Sequence, residues 1–360
     1  MGCLDGVNNA RFSIELVNSI TVLYTYKGKD FYYEEILKNF MRGIVTETIE
    51  DDIKYSAMLL NLNVTDARLK ALIKKDSSPK TKDEEIVSNL KTIFKLIQEM
   101  GTDLDLTSNE FLKLGTRIFG DRKFAYSYDL VNSTEGLISE KKKVSKREDF
   151  EGELKKYINA INILKMESTQ VITRFYIDMV QNKYFTIHNE YMALLITYCL
   201  LVSRRFNVFK YVSFFKSYAN KMDDFRTSLA KANYGYKEGF SDVLDLNNDF
   251  IKMMLDGYRE VEGMTQDSRY SKEIKLNKID AAASAIMSLD QNFTKNDIKI
   301  KCPYMSDSTI NRALEKLKED GKIISNGTGR SATWTKLINQ MDLSRRDKQI
   351  NIFEMIDDEE

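Results

Sequence analysis

The sequence predicts a mainly α protein: a helical bundle filling most of the chain, followed by a small winged helix-turn-helix. Three observations predict it. Pro79 and Pro303 are the only prolines in 360 residues, so almost nothing in the chain forbids helix. Apolar and charged residues alternate at three- and four-residue spacing through long stretches, the period of a helix with one buried face. Near residue 277 the pattern changes to three short helices closed by two β-prone runs around a glycine turn.

Composition bounds the partners before any motif is read. A hydrophobic content of 42%, with 11% aromatic, is ample for the cores of two or three domains. Lys and Arg total 54, as do Asp and Glu, so net charge selects neither nucleic acid nor membrane, and any such partner must show in local asymmetry. Cys3, Cys199 and Cys302 are far apart and lack metal-ligand spacing. They fit a reducing, cytoplasmic setting with no disulfide framework and no metal site. The longest apolar run, Tyr191 to Val202, is followed by Ser203-Arg204-Arg205. It is too short to span a bilayer and suits a core helix, so no membrane partner is expected.

The elements follow in order. A first region, residues 1–72, holds the helical patterns FSIELVNSI and FYYEEILKNFM. The polar break KKDSSPKTKDEE leads into a core expected over 73–261, beginning with IVSNLKTIFKLIQEM, where Ile86, Leu90, Ile93, Leu96 and Ile97 form an apolar stripe. SNEFLKLGTRIFG reads as a further helix, and the lysine-rich LISEKKKVSKREDFE as an exposed loop. From Phe150 the helical pattern returns through FEGELKKYINAINILKM, STQVITRFYIDMVQNKYFTIH, the apolar run, FKSYANKMDDFRTSLAKANY and DLNNDFIKMMLDGYREV. The bundle is expected to hold eight or nine helices. The aromatic cluster FNVFKYVSFF is assigned to its core, and Arg204-Arg205 to a helix end, where cations complement the dipole.

A polar linker is expected over 262–276 and a winged helix-turn-helix over 277–340. Its helices are predicted at Asn277 to Leu289, at Phe293 to Ile300 entered through Thr294, and at Ser306 to Lys318. Ser306 is the predicted N-cap of the third, and Ile310, Ala313, Leu314 and Leu317 its inner face. Asn326-Gly327-Thr328-Gly329 marks the hairpin. The acidic tail, 341–360, is expected to fray.

The chain has one histidine, His188, in FTIHNEYMALLI. A histidine can take a proton from an attacking hydroxyl if an electrophile is held beside it. For nucleotide chemistry that requires phosphates cradled by main-chain N–H groups, glycines where the backbone comes close, and a carboxylate-held divalent metal. The residues after His188 are Asn189-Glu190-Tyr191-Met192-Ala193, with no glycine and no arginine.

IELVNSITVLYTYKGK, LNVTDARLKAL, TKDEEIVSNLKTIF and YFTIH followed by LLITYCLLVSRRFNVFKYVSFFKSYANKMDDFRTSL resemble Fic-domain proteins. These typically transfer AMP from ATP to hydroxyls of target proteins. The resemblance is particularly to members with an amino-terminal helical region and a carboxy-terminal winged helix. The resemblance implies a Fic-like helical core. The family signature, HxFx(D/E)GNGR, is absent: six residues take His188 to Leu194, which leaves no counterpart for the metal-binding acid, the phosphate glycines or the arginine. The family's inhibitory pattern is Ser or Thr, three residues, Glu, then Gly or Asn. It is met by Ser56 and Asn61, with Leu60 in the glutamate position. The loop around Ser127 to Lys143 also lacks the prolines common where active members cover a target.

The resemblance therefore implies a catalytically degenerate protein that acts by binding, with no cofactor. One alternative is AMP transfer at an atypical site around His188 and Glu190, using ATP and Mg²⁺. Another is an interaction scaffold using the core cleft. Ser271 to Lys336 holds 12 Lys and Arg against 8 Asp and Glu, a local excess of four. Ser308, Thr309, Asn311, Arg312 and Lys316 on the third helix, with Thr328, Arg330 and Ser331 in the wing, are types that reach bases or phosphates. DNA is the leading expected partner, a protein partner or homodimer the other.

Overall fold

Side-chain caps and buried faces explain where most of the helices begin. The computed structural model describes residue 4, residues 13–75, 77–133, 140–164 and 166–266, and then 279–280, 282–283, 285–287, 289–301, 305–327 and 332–337. Contacts divide the chain into two compact units, one ending at Thr265 and one beginning at Gln266.

The first unit contains twelve α-helices among the described residues. They are α1 (Ile14–Lys27), α2 (Asp30–Leu37), α3 (Met41–Leu59), α4 (Asp66–Lys75), α5 (Lys82–Met100) and α6 (Ser108–Phe119), then α7 (Arg147–Asn162), α8 (Ser168–Asn182) and α9 (Asn189–Ser203), and finally α10 (Phe214–Asn220), α11 (Met222–Asn233) and α12 (Leu244–Gln266). Ser13, Thr81 and Thr107 cap α1, α5 and α6 by accepting the N–H three residues on. Glu167 caps α8 with both carboxylate oxygens, accepting from Thr169 and Gln170, each at 2.9 Å. The phenol of Tyr24 on α1 donates to the same carboxylate at 2.9 Å. One acidic side chain thus starts a central helix and holds a peripheral one.

The centre is the pair α8 and α9, buried on every side from Thr169 to Val180 and from Tyr191 to Val202. A helix buried all round needs neighbours all round, and α7, α11 and α12 supply them for α8. The buried Asn247 of α12 accepts from Gln170 at 3.0 Å and donates to Thr173 at 3.0 Å, so the polar atoms in this contact are partnered. The FNVFKYVSFF segment is core as expected: Phe206, Phe209, Phe214 and Phe215 are all buried. Arg204 follows the end of α9, donates to Asn162 at 2.7 Å, and its carbonyl accepts Lys27 at 2.7 Å.

Several expectations are corrected. The lysine-rich segment is not a loop: β2 (Glu140–Ser145) pairs antiparallel with β1 (Tyr128–Ser133), Tyr128 opposite Ser145 and Ser133 opposite Glu140. A two-stranded ribbon leaves lysines free to reach solvent, so their density does not bar a strand. On α5 the buried line runs through Val87, Leu90, Ile93, Phe94 and Ile97, with Ile86 and Leu96 only half-buried at its edges. Among the described residues the bundle's helices number twelve, not eight or nine, because short polar turns such as Lys221 divide segments that read as continuous. Helix α12 runs through Gln266 into the segment read as a linker, and 267–276 lie outside the described residues.

The second unit has helical backbone within 279–287, then β3 (Asn292–Thr294), α13 (Lys295–Lys301), α14 (Asp307–Glu319), β4 (Ile323–Asn326) and β5 (Thr333–Lys336). The strands form an antiparallel sheet in the order β3-β5-β4, with Phe293 opposite Trp334 and Ser325 opposite Trp334 on the other side. Phe293 and Thr294, expected at the start of a helix, therefore belong to a strand. Thr294 turns the chain into α13, where its N–H and hydroxyl both donate to Asp297 at 2.8 Å. The predicted inner face of α14 is buried, Ile310, Ala313, Leu314 and Leu317 packing with Ile286, Phe293, Ile298 and Trp334. Ser306 caps it, accepting from Thr309 N–H. The tail from 341 lies outside the described residues.

Candidate functional site

The histidine lies at the turn between the two central helices, and that turn is tied down along its length. Its ends, Lys183 and His188, both take left-handed backbone (φ 49° and 53°). Between them the chain runs beside residues 123–127. Ser127 N–H donates to the Tyr184 carbonyl at 2.8 Å, Thr186 N–H to the Ala125 carbonyl at 2.9 Å, and Tyr126 bridges to Phe185. Thr186 Oγ1 accepts from Ala125 N–H at 3.1 Å and donates to the Lys123 carbonyl at 2.8 Å. Asn189 completes the closure with its side-chain amide, accepting Phe185 N–H at 2.8 Å and donating to the Phe185 carbonyl at 2.7 Å. The N–H groups of Phe185 and Thr186 are thereby committed to protein acceptors.

His188 itself is the N-terminal boundary of α9, and its side chain makes no cap. Its ring stacks on Phe119 at 4.4 Å between centroids and 21° between planes. Phe119 also meets Tyr191 edge-on and lies against Phe124, which stacks on Phe185 at 4.8 Å. Desolvation first, then the Lys123 ammonium, lowers the imidazole pKa below its ordinary value, which keeps the ring neutral at pH 7. Glu190, two residues on, is exposed in the first turn of α9. Cys199, further along the same helix, is no nucleophile: burial pushes its thiol up to about 12. Among the described residues no group of three or more His, Cys, Asp or Glu could hold a metal ion.

Beneath α9 lies α3, which carries the segment compared with the inhibitory pattern. Ser56 is fully buried, Leu60 is half-buried just past the end of α3, and Asn61 takes left-handed backbone there (φ 53°). One turn before Ser56, Asp52 reaches the start of α10: its Oδ1 accepts Ser213 Oγ at 2.6 Å and Phe215 N–H at 3.1 Å. Asp52 is fully buried, its second oxygen has no partner, and desolvation raises its pKa to about 7. Beyond Leu59 a cavity of about 310 Å³ opens between α3, α8, α9, α10 and α11.

In the second unit the predicted contact residues separate into groups. Ser308, Asn311 and Arg312 are exposed on α14, whereas Thr309 is half-buried with its hydroxyl 2.9 Å from Ser306 Oγ. Lys316 points elsewhere, its ammonium 2.5 Å from Asp280. Thr328, Arg330 and Ser331 lie outside the described residues. Asn311 lines an open cleft of about 890 Å³ with Lys295, Lys299 and Lys318, and with Asp307 and Glu315. Lys299 is paired with Asp307 at 2.8 Å. Sequence reasoning missed these three lysines. The misplaced boundary at 292–295 hid that β3 and α13 bring Lys295 and Lys299 beside α14.

No family profile matches the sequence, and no curated protein matches it. Solved structures do. A Fic family protein from Desulfovibrio desulfuricans G20 is similar with a TM-score of 0.53 at 13% identity, covering 92% of this chain and 98% of that one. A Fic-1 fragment from C. elegans is similar with a TM-score of 0.51 at 13% identity, covering 68% of this chain and 71% of that one. Identity this low establishes the fold alone: the chain has a Fic-like, all-α fold.

Proposed function

We propose that this Fic-fold chain acts by binding rather than by nucleotide transfer, and that its second unit is a winged helix-turn-helix that contacts DNA. The observation that carries the first half is the closed turn before α9. A phosphate cradle in that turn would need free main-chain N–H groups; those of Phe185 and Thr186 are already bonded, which leaves only the start of α9, where Glu190 stands. One face of the only histidine is covered by Phe119, and Glu190, the first charge on α9, would repel an incoming phosphate. The turn offers neither glycine nor arginine.

The second half rests on topology and surface. Helices with a three-stranded β3-β5-β4 sheet, the first strand falling between the first and second helices, match a winged-helix layout. Ser308, Asn311 and Arg312 stand exposed on α14, where Asn and Arg can pair with base edges. Lys318 and Lys295 flank them as phosphate contacts.

Binding of the full chain to duplex DNA, titrated across salt, tests this reading. Lys318→Ala is expected to reduce the slope of log K against log salt by about one, and Arg312→Ala to cost about 1–3 kcal/mol and relax sequence preference. Lys316→Ala should change neither by much, because its ammonium is held by Asp280. Absence of sequence-preferring binding at moderate salt would sink the DNA half. Incubation with labelled ATP and Mg²⁺ tests the other half: histidine-dependent label, lost in His188→Ala, would establish the enzyme instead. A stoichiometric protein recovered while DNA is ignored would favour the scaffold.

A further inference from the structure

The cavity of about 310 Å³ beside the start of α9 contains charged and polar groups that the rest of the protein leaves unused. Glu190 lines it, and among the described residues its carboxylate has no ion-pair partner. Arg226 lines it too, and its one ion contact is a loose 3.8 Å approach to Asp223, itself almost wholly in solvent. The two charges share a cavity without pairing to each other. Deeper in, Tyr191 is 5% exposed, and its buried hydroxyl lies beside that of Ser56, neither making a well-formed hydrogen bond. The side-chain oxygen of Asn233, which also lines the cavity, is buried and unpartnered as well. Leaving such atoms unsatisfied is unfavourable, so the protein retains polar capacity here that a guest would use. Leu59, Leu194 and Leu229 supply apolar wall.

We infer that this cavity binds a small zwitterion with an aliphatic side chain, of the amino-acid class, its ammonium on Glu190, its carboxylate on Arg226 and its side chain among the leucines. Three features select that class. A carboxylate and a guanidinium that face one space unpaired complement a guest carrying both charges. The volume lies at the lower end of the roughly 300–1,000 Å³ typical of small-molecule sites, which fits a single amino acid better than a nucleoside triphosphate. Tyr191 can donate to the guest because burial keeps its phenol protonated far above the ordinary range. His188 does not line the cavity.

Calorimetry and thermal melting of the full chain, with L-leucine as the probe, test the inference. L-Leucine is expected to bind one to one and raise the melting temperature. N-acetyl-L-leucine, which lacks the ammonium, and L-leucinamide, which lacks the carboxylate, should each bind at least roughly tenfold more weakly. Glu190→Gln should erase the discrimination against the acetylated probe, and Arg226→Gln that against the amide. Ala230→Trp places a ring at the mouth from an exposed position on α11, and should abolish binding while circular dichroism stays unchanged. No heat and no shift at about 10 mM leucine would overturn the inference, as would binding that survives Ala230→Trp. So would tighter binding of ATP that Ala230→Trp blocks, since the cavity would then be a nucleotide site.

Discussion

Stability is expected to fall as pH rises from about 4 to about 7, and Asp52→Asn is expected to remove most of that fall. The cause is the fully buried Asp52 carboxyl, whose pKa is raised from 3.8 to about 7, by desolvation first and by the neighbouring Asp51 charge in part. The folded state thus holds a proton that the unfolded chain has released. The contribution is complete below the unfolded value and is lost as pH climbs through the folded one. At about 1.4 kcal/mol per unit the swing is on the order of 4 kcal/mol. Asparagine keeps the oxygen that accepts from Ser213 and Phe215, and it cannot ionise. Urea titrations at pH 5 and pH 8 decide the matter. The wild type should lose midpoint between them, while Asp52→Asn should change little and exceed the wild type at pH 8. Parallel profiles for the two proteins would refute it. Asp51 is paired with Lys216 at 2.6 Å on the surface, so it is a poor source for the same effect.

Gly115→Ala should destabilise the first unit by about 2 kcal/mol, although it exchanges the weaker helix former for the stronger. Alanine in a helix interior is favoured over glycine by about 1 kcal/mol. Here a Cβ would stand 2.0 Å from one ring atom of Phe124 and 2.3 Å from another. Phe124 is 1% exposed and stacked on Phe185, so the ring has nowhere to withdraw without moving the turn before α9. Overpacking of this kind costs about 1–3 kcal/mol or more. The double variant Gly115→Ala, Phe124→Leu should be less damaged than the sum of the two single changes, because the smaller side chain vacates the contested space. Additive losses in denaturant melts would mean that the ring is not the obstacle.

Much of this architecture could be read from residue order, for a physical reason that also sets the limit. Helices with one buried face announce themselves: α14 shows its cap at Ser306 and its inner line Ile310, Ala313, Leu314 and Leu317, and both stand as expected. The run Tyr191–Val202 gave burial on all sides from its lack of polar residues. Strands in small sheets are harder. Glu140–Ser145 pairs through its backbone, and its run of lysines carries no alternating signal that would mark a strand. Asn292–Thr294 is too short to show a period at all. The surroundings of His188 were legible only in what they lacked. Phe119, which covers the ring, and Ser127, which pins the turn, come from remote parts of the chain. Periodicity reports which face is buried, never against what.

The clasp between residues 123–127 and the turn before α9 has one more consequence, in the statistics of chain closure. The Ala125 to Thr186 bond spans 61 residues. Bringing such ends together costs roughly 4 kcal/mol of chain entropy, and doubling the intervening length would add only about 0.6 kcal/mol. The β1–β2 ribbon and α7 lie inside that interval. The setting of His188 is therefore acquired only once its interval has folded back, and is nearly indifferent to how long the interval is.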